Sequence, residues 1–307
     1  MRIHSFLSNH PVYTSIHKVF SYIGEVKIYP NKDILLKLPT THIEKPSTEL
    51  SKDGVNIIKS PLINVATWKL LFNNYKAFIF EEYFEKRWFK DMYALAILNL
   101  FKKYPFIALT KRTKYFLEKN GFKVFFIPPA IKPKFSNKKR EYILYISRLV
   151  ENKNPLLVIE IAKKMPNEKF VIIGKGHLQK EVIKASKKLK NVEYIEYIEN
   201  RRDLLRIYEK ARLLIHPAKK DPIGFVVVEA LSRGTPVLAT TSTGASDYLP
   251  EEWRMKTFKV EEWVKRIEGI SNEDRKRAKE TFKKEHLDID DKYFERIAKE
   301  IKEYIKV

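Results

Sequence analysis

The chain has 307 residues, 44% hydrophobic and 13% aromatic, which is enough apolar material for two domain cores and too much for a disordered chain. It has no cysteine, which excludes disulfides, thiolate metal sites and a cysteine nucleophile. The 60 lysines and arginines against 38 acids give a formal charge of +22, a field that attracts polyanions such as nucleotide sugars, anionic lipid surfaces or nucleic acid.

That charge is not gathered at one end: up to residue 135 there are 22 basic and 10 acidic residues, and 38 and 28 beyond it. A solvated, lysine-rich surface is the alternative reading, and the single glutamine beside abundant lysine and glutamate is a bias of thermophile proteins. The amino terminus, MRIHSFLSNHPVY, has neither a long apolar core nor a small-residue cleavage site. The longest apolar run, MYALAILNLF from Met92, is about half a membrane span, so the expected location is cytoplasmic.

In the first half, short apolar β-branched runs alternate with helical patterns. RIHSFL, EVKIYP, DILLKL, VNIIK, KAFIFEE, PFIALT and KVFFIP read as strands. SIHKVFSYI, TWKLLFNN, EKRWFKDMYALAILNLFKK and KRTKYFLEKNG read as helices, the last closed by Gly121. Alternation of this kind predicts a parallel sheet covered on both faces. The proline- and lysine-rich PPAIKPKFSNKKR reads as a connector to a second domain.

Three histidines of this half are candidates: His10 in the first strand-to-helix loop, to orient a hydroxyl, and His17 and His42, with His17 expected to pack or face solvent. The helix from Glu85 carries Lys86, Arg87, Trp88, Phe89 and Lys90 at its start. It suits either an anionic membrane surface, which would make the chain peripheral on the inner face, or an ordinary core position.

The second half opens with strand YILYI, followed by Arg148 and Lys153 at the strand's carboxyl edge, cations of the kind a diphosphate leaving group needs. Strand KFVIIG runs into Gly174 and Gly176, a G-x-G turn that is weak as a motif on its own. Helix HLQKEVIKASKKL, strand NVEYIEYI and helix LLRIYEKA lead to LLIHPAKKDPIGFVVVEALSRGTPVLATTSTGASD, read as strand, loop, helix and strand. Five of the nine glycines fall between positions 174 and 244, and the carboxylates of Asp221 and Glu229, eight positions apart, can face one crevice. His216 reads as a structural strand-end residue. From Glu251 on, mixed charges at helical spacing predict solvated helices.

DPIGFVVVEALSRGTPV with TGASDYL after it, and YISRLVENKNP and VIIGKGHL before it, resemble the acidic-x7-Glu signature of the retaining family-4 glycosyltransferases. That resemblance implies the α/β GT-B fold: two Rossmann-like domains with parallel sheets facing a cleft, and a C-terminal helix crossing back to the first domain. The expected boundaries are 1–134 for a short acceptor-side domain, 135–285 for the nucleotide-sugar domain and 286–307 for the last helix.

It further implies a hexosyltransferase that moves a sugar from a nucleoside diphosphate sugar to a glycan, lipid or small-molecule hydroxyl, with retention, without metal or other cofactor. Arg148 and Lys153 would bind the diphosphate, Glu229 the ribose and Asp221 the donor sugar. Gly224 and Phe225 would offer N–H groups, Ser242, Thr243 and Gly244 would lie by the phosphates, and Tyr197 and Ile198 would border the base. A plainer reading makes Glu229 half of a buried pair with a lysine and Asp221 a helix cap.

On the acceptor side the sequence departs from the family. SNHPVYTS has no glycine where a glycine-rich loop is usual, and Glu81 and Glu82 stand where many members have a histidine. The competing functions are a sugar-nucleotide epimerase of the same fold, or an idle protein holding an anionic membrane or nucleic acid. The intact donor motif speaks against nucleic acid as a partner.

Overall fold

The computed structural model describes residues 1–5, 7, 14–28, 41–43, 50–59, 65–73, 75–81, 88–135, 140–288 and 290–306. The DILLKL stretch, His10, Glu82, Lys86 and Arg87 lie outside them, as do the side chains of Trp88, Phe89 and Lys90. The chain divides into two compact units, Met1–Ala130 with Ile289–Val307, and Ile131–Asp288.

In the first unit the strands are β1 (Arg2–Ser5), β2 (Glu25–Ile28), β3 (Thr41–Ile43), β4 (Val55–Lys59), β5 (Lys76–Glu81), β6 (Phe106–Ala108) and β7 (Val124–Phe126). They form one parallel sheet in the order β3-β2-β1-β4-β5-β6-β7. Both faces are covered, so the central strands read as unbroken apolar runs: Val55, Ile57, Ile58, Phe78, Ile79 and Phe80 are all buried. The helices are α1 (Thr14–Ser21), α2 (Trp88–Asn99) and α3 (Lys111–Lys119), the last capped by Thr110, whose hydroxyl accepts from the Thr113 N–H.

The helix expected at TWKLLFNN is a 3-10 segment, Val65–Leu71. It is pinned by the Tyr104 hydroxyl donating to the Leu70 carbonyl and by Trp68 standing edge-on to Phe101. Of the helix expected over 85–103, the described part is regular from Trp88 to Asn99. Beyond it, Leu100 and Phe101 donate to carbonyls three residues back, the tightened hydrogen bonding of a fraying end.

In the second unit β8 (Tyr142–Ile146), β9 (Phe170–Ile173), β10 (Val192–Ile195), β11 (Ala211–His216), β12 (Val237–Thr240) and β13 (Arg254–Met255) pair in parallel in the order β10-β9-β8-β11-β12-β13. The helices are α4 (Pro155–Lys164), α5 (Gln179–Ser186), α6 (Arg201–Lys210), α7 (Phe225–Leu231), α8 (Val260–Glu268) and α9 (Glu273–Lys284). α4 packs with α5 and α8, and α7 with α6 and α9, giving a helical layer on each face. The two-residue β13 interrupts a stretch expected to be helical.

From β8 the chain steps outward to β9 and β10, then returns to β11 on the other side of β8. The carboxyl ends of β8 and β11 therefore flank the point where strand order reverses, the place where an open parallel sheet leaves a crevice for ligands.

Arg140 fastens this unit together. Its guanidinium donates to the carbonyls of Tyr208, Ala211, Arg233 and Gly234 and to the Thr235 hydroxyl, at 2.6–3.3 Å, satisfying carbonyls at the ends of α6 and α7. Burial lowers its pKa to about 10. α10 (Asp291–Lys306) packs on α1 in the first unit. Asp291 pairs with Lys18 at 3.1 Å, and the Tyr304 ring stands edge-on to Phe78 and Phe125.

Candidate functional site

The loop leaving β8 carries Arg148 and Lys153, and the way it is held explains two glycines. Ser147 N–H donates to Ile173, Leu149 N–H donates to Lys175, and the Leu149 carbonyl accepts from Leu178, so this loop is laced to the one leaving β9. A Cβ on Gly174 would sit 1.8 Å from the Ser147 carbonyl oxygen, and one on Gly176 would sit 2.2 Å from that of Leu149. Gly174 and Gly176 thus allow two loops to touch along their backbones. A 3-10 turn, Glu151–Lys153, follows, fixed by the buried Tyr145 hydroxyl donating to the Lys153 carbonyl. Asn154, left-handed at φ 54°, then hands the chain to Pro155 at the head of α4.

The loop leaving β11 comes to meet it. The Asn152 carbonyl accepts from the N–H groups of Lys219 and Lys220. Across this tie the Lys153 ammonium lies 2.7 Å from Oδ2 of Asp221, with both side chains largely buried. The same oxygen bonds Nε2 of His216 at 2.8 Å, and Oδ1 accepts from the Gly224 N–H at 3.0 Å. Burial alone raises a carboxyl pKa, but here the His216 hydrogen bond and charge and the Lys153 ammonium outweigh it. Asp221 is held well below the usual carboxylate range and is anionic.

Arg148, by contrast, is exposed and makes no side-chain hydrogen bond or ion pair among the described residues. Its charge is open to an incoming anion.

Glu229, just over one turn into α7, has a separate set of partners. Its Oε1 pairs with Nη1 of Arg201 and its Oε2 accepts from the Tyr208 hydroxyl at 2.6 Å, both from α6. It is only 4% exposed. Burial drives the Tyr208 pKa far above its ordinary value, so the phenol remains a donor.

The structure thus brings Lys153 and Asp221 into contact, places Arg148 on the same sheet edge, and gives Glu229 its own cluster. Glu229 does sit in a buried pair, with an arginine and not a lysine, and Asp221 does accept from the N–H before α7. Both features of the plainer reading therefore coexist with the crevice.

Other expected groups are partly engaged. Gly224, left-handed at φ 71°, gives its N–H to Asp221, and a Cβ there would meet Thr243 Cγ2 at 2.2 Å. The Gly244 N–H donates to the Asp221 carbonyl, and Thr243 is buried beside it. Ser242 donates its hydroxyl to the Ala218 carbonyl. The N–H groups of Phe225 and Val226, at the start of α7, make no hydrogen bond among the described residues. Tyr197 is exposed beneath Lys175, whose ammonium lies 5.2 Å from the ring centroid, and Ile198 is half-buried.

In the first unit His17 is buried, bonds the Ser5 hydroxyl at 2.9 Å, and has its pKa lowered to about 4 by burial. Glu81 is buried at the end of β5. Among the described residues no group of three or more histidines and acids is disposed to hold a metal ion.

Sequence reasoning passed over His216, Arg201 and Tyr208 as site residues. A signal existed for Arg201: with Arg202 it puts two cations in the first turn of α6, where the helix dipole disfavours positive charge.

The family model described as Glycosyl transferases group 1 matches residues 127–285, more than half of the chain. The chain belongs to that family. Among curated relatives, "Sulfoquinovosyl transferase SQD2" of Arabidopsis thaliana is 24% identical over 119 residues, which is 39% of this chain and 23% of that protein. The "GalNAc-alpha-(1->4)-GalNAc-alpha-(1->3)-diNAcBac-PP-undecaprenol alpha-1,4-N-acetyl-D-galactosaminyltransferase" of Campylobacter jejuni is 30% identical over 144 residues, 45% of this chain and 38% of that one. Among solved structures, HepE of Anabaena in complex with UDP and glucose superposes with a TM-score of 0.75 at 13% identity, over 99% of both chains. The fold of this group 1 family member is therefore the two-unit GT-B architecture.

Proposed function

We propose that the chain transfers a hexose from a nucleoside diphosphate sugar to an acceptor hydroxyl, with retention and with the diphosphate charge met by protein cations and not by a metal. The observation that carries this reading is the Lys153–Asp221 contact across the strand-order switch of the second unit, with Arg148 open beside it. Sugar transfer breaks the bond between the anomeric carbon and a diphosphate oxygen. Negative charge develops on that oxygen, and Arg148, the remaining protons of Lys153 and the N–H groups of Phe225 and Val226 are the donors available to stabilise it. The acceptor oxygen bonds the anomeric carbon on the same face, and its proton passes to the departing phosphate.

In this reading Asp221 accepts from hydroxyls of the donor sugar, Glu229 from the ribose, and Ile198 with Tyr197 borders the base. Thr243 and Gly244 shape the wall next to the phosphates, and His10 serves the acceptor. HepE holds UDP and glucose in its complex, so a UDP-sugar is the first donor to try. Peripheral attachment to an anionic membrane is supported by exposed apolar side chains, Met92 and Tyr93 on α2 and Leu100 just past its end, on a strongly basic chain; no described helix is long and apolar enough to cross a membrane.

A thermal-shift panel of UDP-, GDP- and ADP-sugars tests the proposal. One of them raises the melting temperature, and the product formed from it keeps the anomeric configuration by NMR. No shift with any of them removes the reading.

A further inference from the structure

Glu229 is a buried carboxylate whose two oxygens are held by two different groups of one helix. Nη1 of Arg201 takes Oε1, and the Tyr208 hydroxyl, about two turns further along α6, takes Oε2 at 2.6 Å. Each oxygen retains acceptor capacity, because an ionised carboxylate offers about four acceptor directions and these contacts use two. Arg201 also stands where helix electrostatics oppose it, in the first turn of α6. The cap there is made by the Asn200 side chain accepting from the Arg202 N–H, so the turn does not need Arg201. Arg202 points to solvent, whereas Arg201 turns inward and remains about 31% exposed along its side chain. A residue set against its local preference and pointed at a buried acid signals a demand made by the site.

We infer that Arg201 is a positioning residue of the nucleotide site: with Tyr208 it fixes the carboxylate of Glu229 so that the unused acceptor directions meet the ribose hydroxyls. The inference rests on the reading above, that Glu229 receives the ribose. Arg201 thereby acts on the nucleoside part of the ligand and leaves the diphosphate part to Arg148 and Lys153.

That division is what an experiment can read. Calorimetric titration of the full chain with UDP, GDP and ADP, and separately with inorganic pyrophosphate, is carried out for the wild type, Arg201→Gln and Arg201→Lys. Arg201→Gln is expected to weaken the preferred nucleotide about tenfold while pyrophosphate changes less than about twofold, and Arg201→Lys, which keeps the charge, recovers most of the loss. Should Arg201→Gln not fold, Arg201→Lys supplies the same contrast at smaller amplitude, with about threefold for the nucleotide and none for pyrophosphate.

An equal loss for nucleotide and pyrophosphate, or no loss for either, overturns the inference and leaves Arg201 a structural residue. Failure of the wild type to bind any of the three nucleotides overturns the ribose reading of Glu229 and this inference with it.

Discussion

The two units share a plan and differ in chemistry. Each is a parallel sheet that winds outward from a central strand and returns to its other side, so each presents a carboxyl edge at a switch of strand order. At that edge the second unit sets an anionic Asp221 between Lys153 and His216, an exposed Arg148, and glycines placed where backbones touch. At the corresponding place in the first unit, Ser5 at the end of β1 and His17 in α1 share a hydrogen bond in full burial, and burial disfavours the charged imidazole. Topology supplies the crevice, and the side chains decide which crevice takes a polyanion. The prediction is that charge-altering substitutions affect donor chemistry in one unit and stability in the other.

The largest expected effect separates binding chemistry from folding. Arg148→Ala is expected to lower turnover of the donor about 100- to 1000-fold, as loss of a charge-stabilising donor does, with stability unchanged within about 0.5 kcal/mol since the side chain is exposed and without a partner among the described residues. Initial rates and a melting curve decide it, and a fall in both measures would blur the comparison.

His17 gives the opposite signature. Its folded-state pKa of about 4 lies below the ordinary 6.5, so the unfolded chain takes up the proton first. Stability is therefore present above pH 6.5, is lost as pH falls towards 4, and levels off below that, by about 3 kcal/mol at most. Urea titrations from pH 8 to pH 4, with His17→Phe expected to flatten the profile, check the sign and the window. Asp221 works at a lower window: its depressed pKa leaves its contribution intact above pH 4, so the two units lose stability in separate steps on acidification.

A smaller effect is expected at Gly224, where left-handed backbone and the contact with Thr243 both oppose a side chain. Gly224→Ala is predicted to cost about 2 kcal/mol, measurable by urea denaturation, and to weaken donor binding because the same loop carries Asp221. Smallest is Ser5→Ala, which leaves His17 without its partner at about 1 kcal/mol and is expected to leave nucleotide affinity unchanged by calorimetry.

What the sequence reveals follows the same division. The β8, β9, β11 and β12 runs are legible because strands buried on both faces must be continuously apolar, and Gly174, Gly176, Gly224 and Gly234 stand out because backbone contact or left-handed φ requires glycine. β3 and β13, three and two residues long, are too short to carry a period. TWKLLFNN has helical spacing, but its geometry is set by Tyr104 and Phe101, more than thirty positions away.

The same holds at the site. Arg148, Lys153, Asp221 and Glu229 are visible in the motif, whereas the partners of Glu229 come from α6, 28 and 21 positions upstream, and only folding reveals the pairing. His216 reads as a strand end because nothing local announces that the loop brings Asp221 back to it.

The most direct test is a crystal structure of the chain grown with UDP, or with whichever nucleoside diphosphate stabilises it most. The account predicts the diphosphate within hydrogen-bond reach of Arg148 and Lys153 at the carboxyl ends of β8 and β11, with the ribose on Glu229. A nucleotide seated instead against Ser5 and His17 in the first unit, or bound with its phosphates away from both cations, would contradict it.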